Sequence, residues 1–371
     1  MKAVVLVGGL GMRLRPLTAT VPKPMLPLVN RPFFERTVRR LAAQGVDEVI
    51  VSGGYLGERF EAAFADGHRL GVKLVHSIEQ QPLGTAGAVR NVAEMLDGGP
   101  FLVLNGDILS DIDVPALVAF HRERGAEATL ALTAVGDPTA FGLVPMDASG
   151  RVQRFVEKPS ADQVETNLIN AGCYCLSPGL LERVPPARPY SFERGLFPEL
   201  LAAGRPVFGF QHTGYWRDIG SPANYLAAHV DILDGVYAAD IPGTEQRPRV
   251  FVGDGVRIDP SATVFGPVVI GSGTSIGPGA VVSSHVCLGE GVTIAAGARV
   301  AGSVIGGGSH VGEGCAVTGS VLARDVQLGA RCVLDELVVA GEGASVGAEN
   351  RLSRGVRLAP YSALTGGQLS F

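Results

Sequence analysis

From Val252 to Leu364 the chain places an apolar residue at every sixth position, with two one-residue slips. Val252, Ile258, Val264, Ile270, Ile276, Val282, Leu288, Ile294 and Val300 hold one register, and Ile305, Val311 and Val317 the next. Leu322, Leu328, Leu334, Ala340, Val346, Leu352, Leu358 and Leu364 hold the third. Glycine often follows, as in Ile270-Gly271, Leu288-Gly289 and Val311-Gly312. A helix repeats every ~3.6 residues and a half-buried strand every ~2, so neither carries a period of six. A prism of short parallel strands does: each apolar residue points inward, and glycine or another small residue turns each corner. At three hexads per coil, the repeats predict about seven coils of left-handed parallel β-helix over residues 252–371.

Residues 1–238 follow a different rule. Lys2–Val7, Glu48–Ser52, Lys73–Ile78 and Phe101–Asn105 read as buried strands, and helical patterns lie between them at Pro32–Gln44, about Leu56–Ala65, Ala86–Leu96 and Val114–Arg124. Strand and helix in alternation predict a Rossmann-like α/β domain with a mostly parallel sheet covered on both faces. Further strands are expected near Thr129–Val135, Phe141–Pro145, Arg151–Glu157, Asn170–Leu176 and Pro206–Gln211, with helices at Phe192–Ala203 and Pro222–Leu233. Residues 239–251, with two prolines and a glycine, read as a linker.

Composition narrows the function. A net charge of −5 with both signs interspersed argues against a nucleic-acid or membrane-surface binder. No apolar run approaches the ~18–20 residues that span a bilayer. Five cysteines without a CxxC pair make neither a disulfide framework nor a zinc site, so cytoplasm is the expected compartment. Only four residues are lysine, at 2, 23, 73 and 158, against 27 arginines, which draws attention to each lysine.

Two of them sit in motifs. Gly8-Gly9-Leu10-Gly11-Met12-Arg13-Leu14-Arg15-Pro16-Leu17-Thr18 follows the first strand, where glycines let backbone N–H groups approach phosphate closely. It lacks the GK[ST] of a Walker loop, and Leu14 stands where a dinucleotide fingerprint has its third glycine. Pro22-Lys23-Pro24-Met25-Leu26-Pro27 follows within ten residues. Further on come Pro82-Leu83-Gly84-Thr85-Ala86-Gly87, Asn105-Gly106-Asp107, Phe155-Val156-Glu157-Lys158-Pro159, Asn170-Ala171-Gly172 and Trp216-Arg217-Asp218-Ile219-Gly220.

This series, in this order and followed by hexapeptide repeats, resembles the sugar-nucleotide pyrophosphorylases, nucleotidyltransferases acting on sugar 1-phosphates, and among them the mannose-1-phosphate guanylyltransferases. The resemblance spans essentially the whole chain and departs at Met12, where the family usually has threonine. It implies a nucleotidyltransferase domain at 1–238 that joins a nucleoside triphosphate, GTP favoured, to a sugar 1-phosphate, mannose 1-phosphate favoured, and releases pyrophosphate. It assigns nucleotide binding to Leu6, Gly8, Gly9, Gly11, Met12, Arg13, Pro82, Gly84, Thr85 and Asp107. Glu79, beside that loop, is the candidate reader of guanine, because a carboxylate accepts from two adjacent donors. Sugar phosphate falls to Gly142, Glu157, Lys158 and Asn170, and Mg²⁺ to Asp107 and Asp218. Arg13, Lys23 and Lys158 would be the catalytic cations.

Plainer readings stand beside these. Thr85 fits a helix N-cap, Asp218 a helix cap, and Glu157–Lys158 a surface ion pair. Glucose 1-phosphate with a thymidylyl, uridylyl or adenylyl donor is the alternative reaction. His285 and His310 raise a hexapeptide acyltransferase, and Met12 an inactive sugar-nucleotide sensor. The repeat domain is expected to serve assembly, giving a homo-oligomer. Because every motif precedes residue 240, the nucleotide site is expected to survive removal of the coils.

Overall fold

Ala3, Val4 and Val5 of the strand Lys2–Leu6 are fully buried, as a parallel strand covered on both faces requires. In the computed structural model, which describes residues 1–54 and 57–367, this strand is central. Glu48–Gly53 pairs with it in parallel on one side and Phe101–Asn105 on the other, and Lys73–Ile78 extends the sheet beyond Glu48–Gly53. The antiparallel strand Leu168–Leu176 continues past Phe101–Asn105 and carries Ala128–Ala134, which pairs in parallel with Val207–His212. The short strands Gly142–Leu143 and Val156–Glu157 complete the nine-stranded sheet.

The expected helices appear at Phe33–Ala43, Gly57–Phe64, Gly84–Asn91, Val114–Glu123 and Pro222–Leu233. The start expected at Leu56 lies outside the described residues, as does the tail after residue 367. The stretch expected to be helical from Phe192 opens with one π-helical turn, Phe192–Leu196, before the α-helix Phe197–Ala202. Arg151–Glu157 is not one strand: only Val156–Glu157 pairs in the sheet, while Arg151 and Val152 make isolated bridges.

The hexads build three parallel walls, two with seven rungs and one with six. Successive rungs are 18 residues apart, as in Val264↔Val282, except at the two slips. There Val300↔Val317 and Val317↔Leu334 are 17 apart. The missing residue is lost at a corner. Ser284 and His285, both at positive φ, turn one coil, whereas Gly302 at φ 55° and Gly319 at φ 54° turn the shortened ones alone. Inside, Ile270, Leu288, Ile305, Leu322, Ile294, Val300 and Leu334 stack in one core at 0–1 % exposure. Burying each such side chain is worth about 1.5–3 kcal/mol. Part of the expected linker is structured: Thr244–Arg247 pairs antiparallel with Val250–Val252 and covers the open edge of the first rung.

These elements form two compact units, Met1–Gly9 with Phe34–Asp218, and Leu10–Phe33 with Ile219–Phe371. In this division Leu10–Phe33 groups with the coils. All five cysteines are free and buried, and no described helix is long and apolar enough to cross a membrane.

Candidate active site

In the first unit the chain leaves the central strand at Leu6 and runs through Val7 into Gly8 and Gly9, both exposed. The neighbouring parallel strand ends at Asn105, so both carboxyl ends lie at the point where strand order reverses, the ligand position of doubly wound sheets. Gly106 fits there only as glycine: its N–H donates to the Leu6 carbonyl at 2.8 Å, and a Cβ would lie 2.6 Å from that oxygen. Asp107 follows at once.

Asp218 reaches the same place by a route that sequence did not reveal. It is expected at the carboxyl edge of the main sheet. Instead it ends a separate ribbon in which Trp216–Asp218 pairs antiparallel with Ile108–Ser110, Asp218 opposite Ile108. Asp218 therefore lies opposite the residue that follows Asp107, and it is 8 % exposed. Asn105 Oδ1, two residues before Asp107, is buried without a hydrogen-bond partner among the described residues. Two carboxylates and an amide oxygen are hard donors that suit Mg²⁺, which takes few protein ligands and completes its shell with water and phosphate. Among the described residues no group of three or more His, Cys, Asp and Glu makes a larger cage.

The Pro82–Gly87 loop is fixed by backbone. Gly84 sits at φ 71°, and a Cβ there would lie 2.7 Å from the Tyr190 carbonyl oxygen. That oxygen accepts from the N–H groups of Ala86 and Gly87, both at 3.0 Å, so two of the helix's first donors are already taken. Thr85 is not the cap: the N-cap is Leu83, without a side-chain bond. The Thr85 hydroxyl instead donates to Glu193 Oε2 at 2.8 Å and accepts from the Phe192 N–H at 2.9 Å. Pro82 is exposed. Glu79 ties the loop to the sheet, accepting from the Ser52 hydroxyl at 3.2 Å and the Leu83 N–H at 3.1 Å.

Gly142 pairs with Glu157 in the short outer strands. Lys158 follows, exposed and at φ 52°, and its N–H donates to the Phe141 carbonyl at 2.9 Å. A non-glycine residue in that left-handed region costs about 1–3 kcal/mol, a strain found where a side chain must be presented in one direction. Asn170 lies at the register shift between Leu168–Leu176 and Ala128–Ala134. Its Oδ1 accepts from the Gly172 N–H at 3.0 Å, and its Nδ2 donates to the Tyr174 hydroxyl at 2.7 Å. Burial first, then the Glu193 carboxylate, pushes the Tyr174 phenol well above its usual 10.0, so it stays protonated and donates to Glu193 Oε1 at 3.1 Å.

Glu193 thus receives Tyr174, Thr85 and Ser191, and joins the Asn170 side of the unit to the Thr85 side. Sequence reasoning missed it. The available signal was Ser191-Phe192-Glu193, a serine capping the turn that carries the carboxylate. Trp216 bridges as well, its Nε1–H donating to the Ala171 carbonyl at 2.9 Å.

Gly11, Met12, Arg13 and Lys23 belong to the second unit. Gly11 is left-handed at φ 57°, and its carbonyl accepts from the Thr18 hydroxyl at 2.8 Å. Met12 and Arg13, in the short turn Met12–Leu14, are exposed, whereas Lys23 is 8 % exposed. His285 is engaged: its Nε2 lies 2.9 Å from Asp234 at the end of the Pro222–Leu233 helix, and Arg249 meets the same carboxylate at 2.6 Å. With Leu10–Phe33 in the unit of the coils, survival of the nucleotide site without them no longer follows from the order of the motifs.

The sequence profile of the Nucleotidyl transferase family matches residues 2–235, and that of the GMPPB C-terminal domain matches residues 264–366. The mannose-1-phosphate guanylyltransferase of Mycobacterium tuberculosis is 43% identical over 269 residues, 72% of this chain and 74% of that protein. The catalytic subunit beta of the Xenopus tropicalis mannose-1-phosphate guanylyltransferase is 38% identical over 268 residues, 71% of this chain and 73% of that protein. Among solved structures, HddC from Yersinia pseudotuberculosis complexed with GMP-PN is similar at a TM-score of 0.54 and 30% identity, over 61% of this chain and 97% of that one.

Proposed function

The chain belongs to the nucleotidyl transferase family, and we propose that its reaction is guanylyl transfer from GTP to mannose 1-phosphate, releasing pyrophosphate. The observation that supports the chemistry is the pairing that sets Asp218 opposite Ile108, the residue after Asp107, where the neighbouring strand ends beside the central one. A phosphate oxygen of the sugar 1-phosphate attacks the α-phosphorus. The bond from that phosphorus to the bridging oxygen breaks, and pyrophosphate leaves with the electron pair. The nucleophile is already ionised near neutral pH, so the chain need supply no general base. Its task is to hold two anions in line and offset their repulsion.

In this proposal Gly8 and Gly9 offer backbone donors to phosphate, Arg13 binds the departing pyrophosphate, and Lys23 the phosphates at the reacting centre. Lys158, presented by its left-handed backbone, holds the incoming sugar phosphate, while Glu157 and Asn170 orient the sugar. Glu79 has lone pairs left beyond its two bonds, to accept the ring N–H and amino group of guanine. Asp107 and Asp218 hold Mg²⁺, which when bound draws charge from the phosphates. We assign the transfer to residues 1–238 and propose that 252–371 also mediates homo-oligomerisation, through exposed apolar residues such as Phe265, at 60 % exposure.

The test is pyrophosphate release across a matrix of four nucleoside triphosphates against mannose and glucose 1-phosphates, with and without Mg²⁺. The proposal expects GTP with mannose 1-phosphate to dominate and chelator to abolish turnover. A preference for dTTP, UTP or ATP would replace it with the corresponding glucose 1-phosphate reaction.

A further inference from the structure

One wall of the β-helix differs from the other two on its outer face. Its rungs are Val250–Val252, Val268–Ile270, Val286–Leu288, Val304–Ile305, Val321–Leu322, Val339–Ala340 and Arg357–Leu358. Strand alternation sends Val252, Ile270, Leu288, Ile305, Leu322, Ala340 and Leu358 into the core, which leaves Val269, Cys287, Val304, Val321 and Val339 pointing outward. These five are nevertheless 0–6 % exposed. The outward positions of the other walls are mixed and include exposed polar residues such as Arg257, Arg299, Gln327 and Arg351. The apolar outer stripe ends at Arg357, on the seventh rung.

The signature segment Leu10–Phe33 is bonded to this wall at both of its ends. At its start, Arg357 Nη1 donates to the carbonyls of Arg13 at 3.0 Å and Arg15 at 2.9 Å, on either side of Leu14. At its end, Asn30 Nδ2 donates to the Leu288 carbonyl, on the third rung, at 2.6 Å. The Tyr225 hydroxyl donates to the Pro27 carbonyl, and Arg31 pairs with Asp240 at 2.8 Å. The two anchoring rungs are four steps apart, roughly 19 Å at ~4.8 Å per strand.

We propose that Arg357 is a positioning residue for the transfer reaction, and that the last coils of the β-helix hold the phosphate-binding turn in its working conformation. The proposal rests on the reading that Arg13 binds the triphosphate. One nitrogen with two hydrogens satisfies both carbonyls and thereby fixes the peptide planes that orient the Arg13 side chain. Loss of this grip frees the turn without removing any group that touches substrate.

The test compares full-length Arg357→Ala and Arg357→Lys with Arg351→Ala, which removes an exposed arginine from another wall of the same region. Hydrogen exchange at Leu14 and Arg15, whose N–H groups donate to the Gly11 and Met12 carbonyls, reads the tether without any substrate. Arg357→Ala is expected to speed exchange there and raise KM for the nucleoside triphosphate about five- to twentyfold, with kcat changed less. Arg357→Lys, with a single nitrogen on a flexible stem, falls between it and the wild type, and Arg351→Ala matches the wild type. Unchanged exchange in both Arg357 variants overturns the tether. Faster exchange with unchanged KM overturns the positioning role. A wild type that turns over no nucleoside triphosphate, yet shows tethered exchange, fails the functional reading and leaves the tether standing.

Discussion

In the β-helix one contact is made many times, whereas around the candidate active site each contact is made once. Val282, Val300, Val317 and Leu334 occupy equivalent positions in one wall, each supported from above and below by a like neighbour. Asp218 has a single strand opposite it, Gly84 a single carbonyl beneath it, and Glu193 one set of three hydroxyls. Repetition spreads a loss over neighbouring coils; a contact made once has no substitute. Damage to the coils should therefore appear mainly as stability, and damage to the site mainly as rate.

The largest test of this contrast is Asp218→Asn, which keeps shape and removes charge. It is expected to lower kcat by roughly 10²–10³, about 3–4 kcal/mol of barrier, and to weaken the apparent affinity for Mg²⁺. Full turnover in this variant would break the comparison at once, since the ribbon would then be structural.

Leu334→Ala is the counterpart in the coils. Its side chain is fully buried, so the loss is expected to reach about 2–4 kcal/mol in urea unfolding. Well below the melting temperature kcat should match the wild type. A fall in kcat with no loss of stability would mean that the core of the prism also acts on the rate.

Two glycines at positive φ give a finer test. Gly84→Ala must push the Tyr190 backbone aside, so the loop shifts and KM for the triphosphate should rise about tenfold. Gly291→Ala, at φ 64° with no atom within 4 Å of its new Cβ, should cost only the left-handed strain of about 1–2 kcal/mol and leave kinetics alone. Equal kinetic effects would remove the distinction between single and repeated geometry.

The smallest expected effect concerns pH. Arg249 and then His285 hold the Asp234 carboxyl below its usual 3.8. A lowered folded value means stability that is present above about pH 4 and lost as pH falls through that lower value. Acidification from pH 5 to 3 should therefore lower Tm by a degree or two more in the wild type than in Asp234→Asn. Parallel acid profiles would show that this surface cluster contributes nothing measurable.

What was legible in the sequence follows the same contrast. The coils could be read because a period of six admits few other structures, and even the slips at Ile305 and Leu322 matched shortened corners at Gly302 and Gly319. The parallel strands were legible as apolar runs ending in glycine. The ribbon was not, because each strand is three residues long and they lie over a hundred residues apart, with no local periodicity to link them. Gly84 was visible as a turn, but the Tyr190 carbonyl that demands glycine belongs to a distant segment. Glu193 and Arg357 went unread for a related reason. Each acts on carbonyls or hydroxyls that every sequence contains, so the partner leaves no compositional trace. The outer stripe of Val269, Cys287, Val304, Val321 and Val339 was legible in principle, since only one wall repeats apolar residues at both of its positions.

The antiparallel strand Thr244–Arg247 bears on how copies of this chain can accumulate. A stack of parallel rungs has two raw edges, each able to template another copy, and a body with two such edges polymerises without limit. Here the chain's own reversal of direction adds an antiparallel strand to the first rung of one of the three walls. Along that wall an incoming copy meets an exposed strand, Thr244–Arg247, that carries Glu245 and Arg247 and runs against the rungs. The coils are therefore not continued there in their own parallel geometry, and templated growth along that wall is blocked at this end.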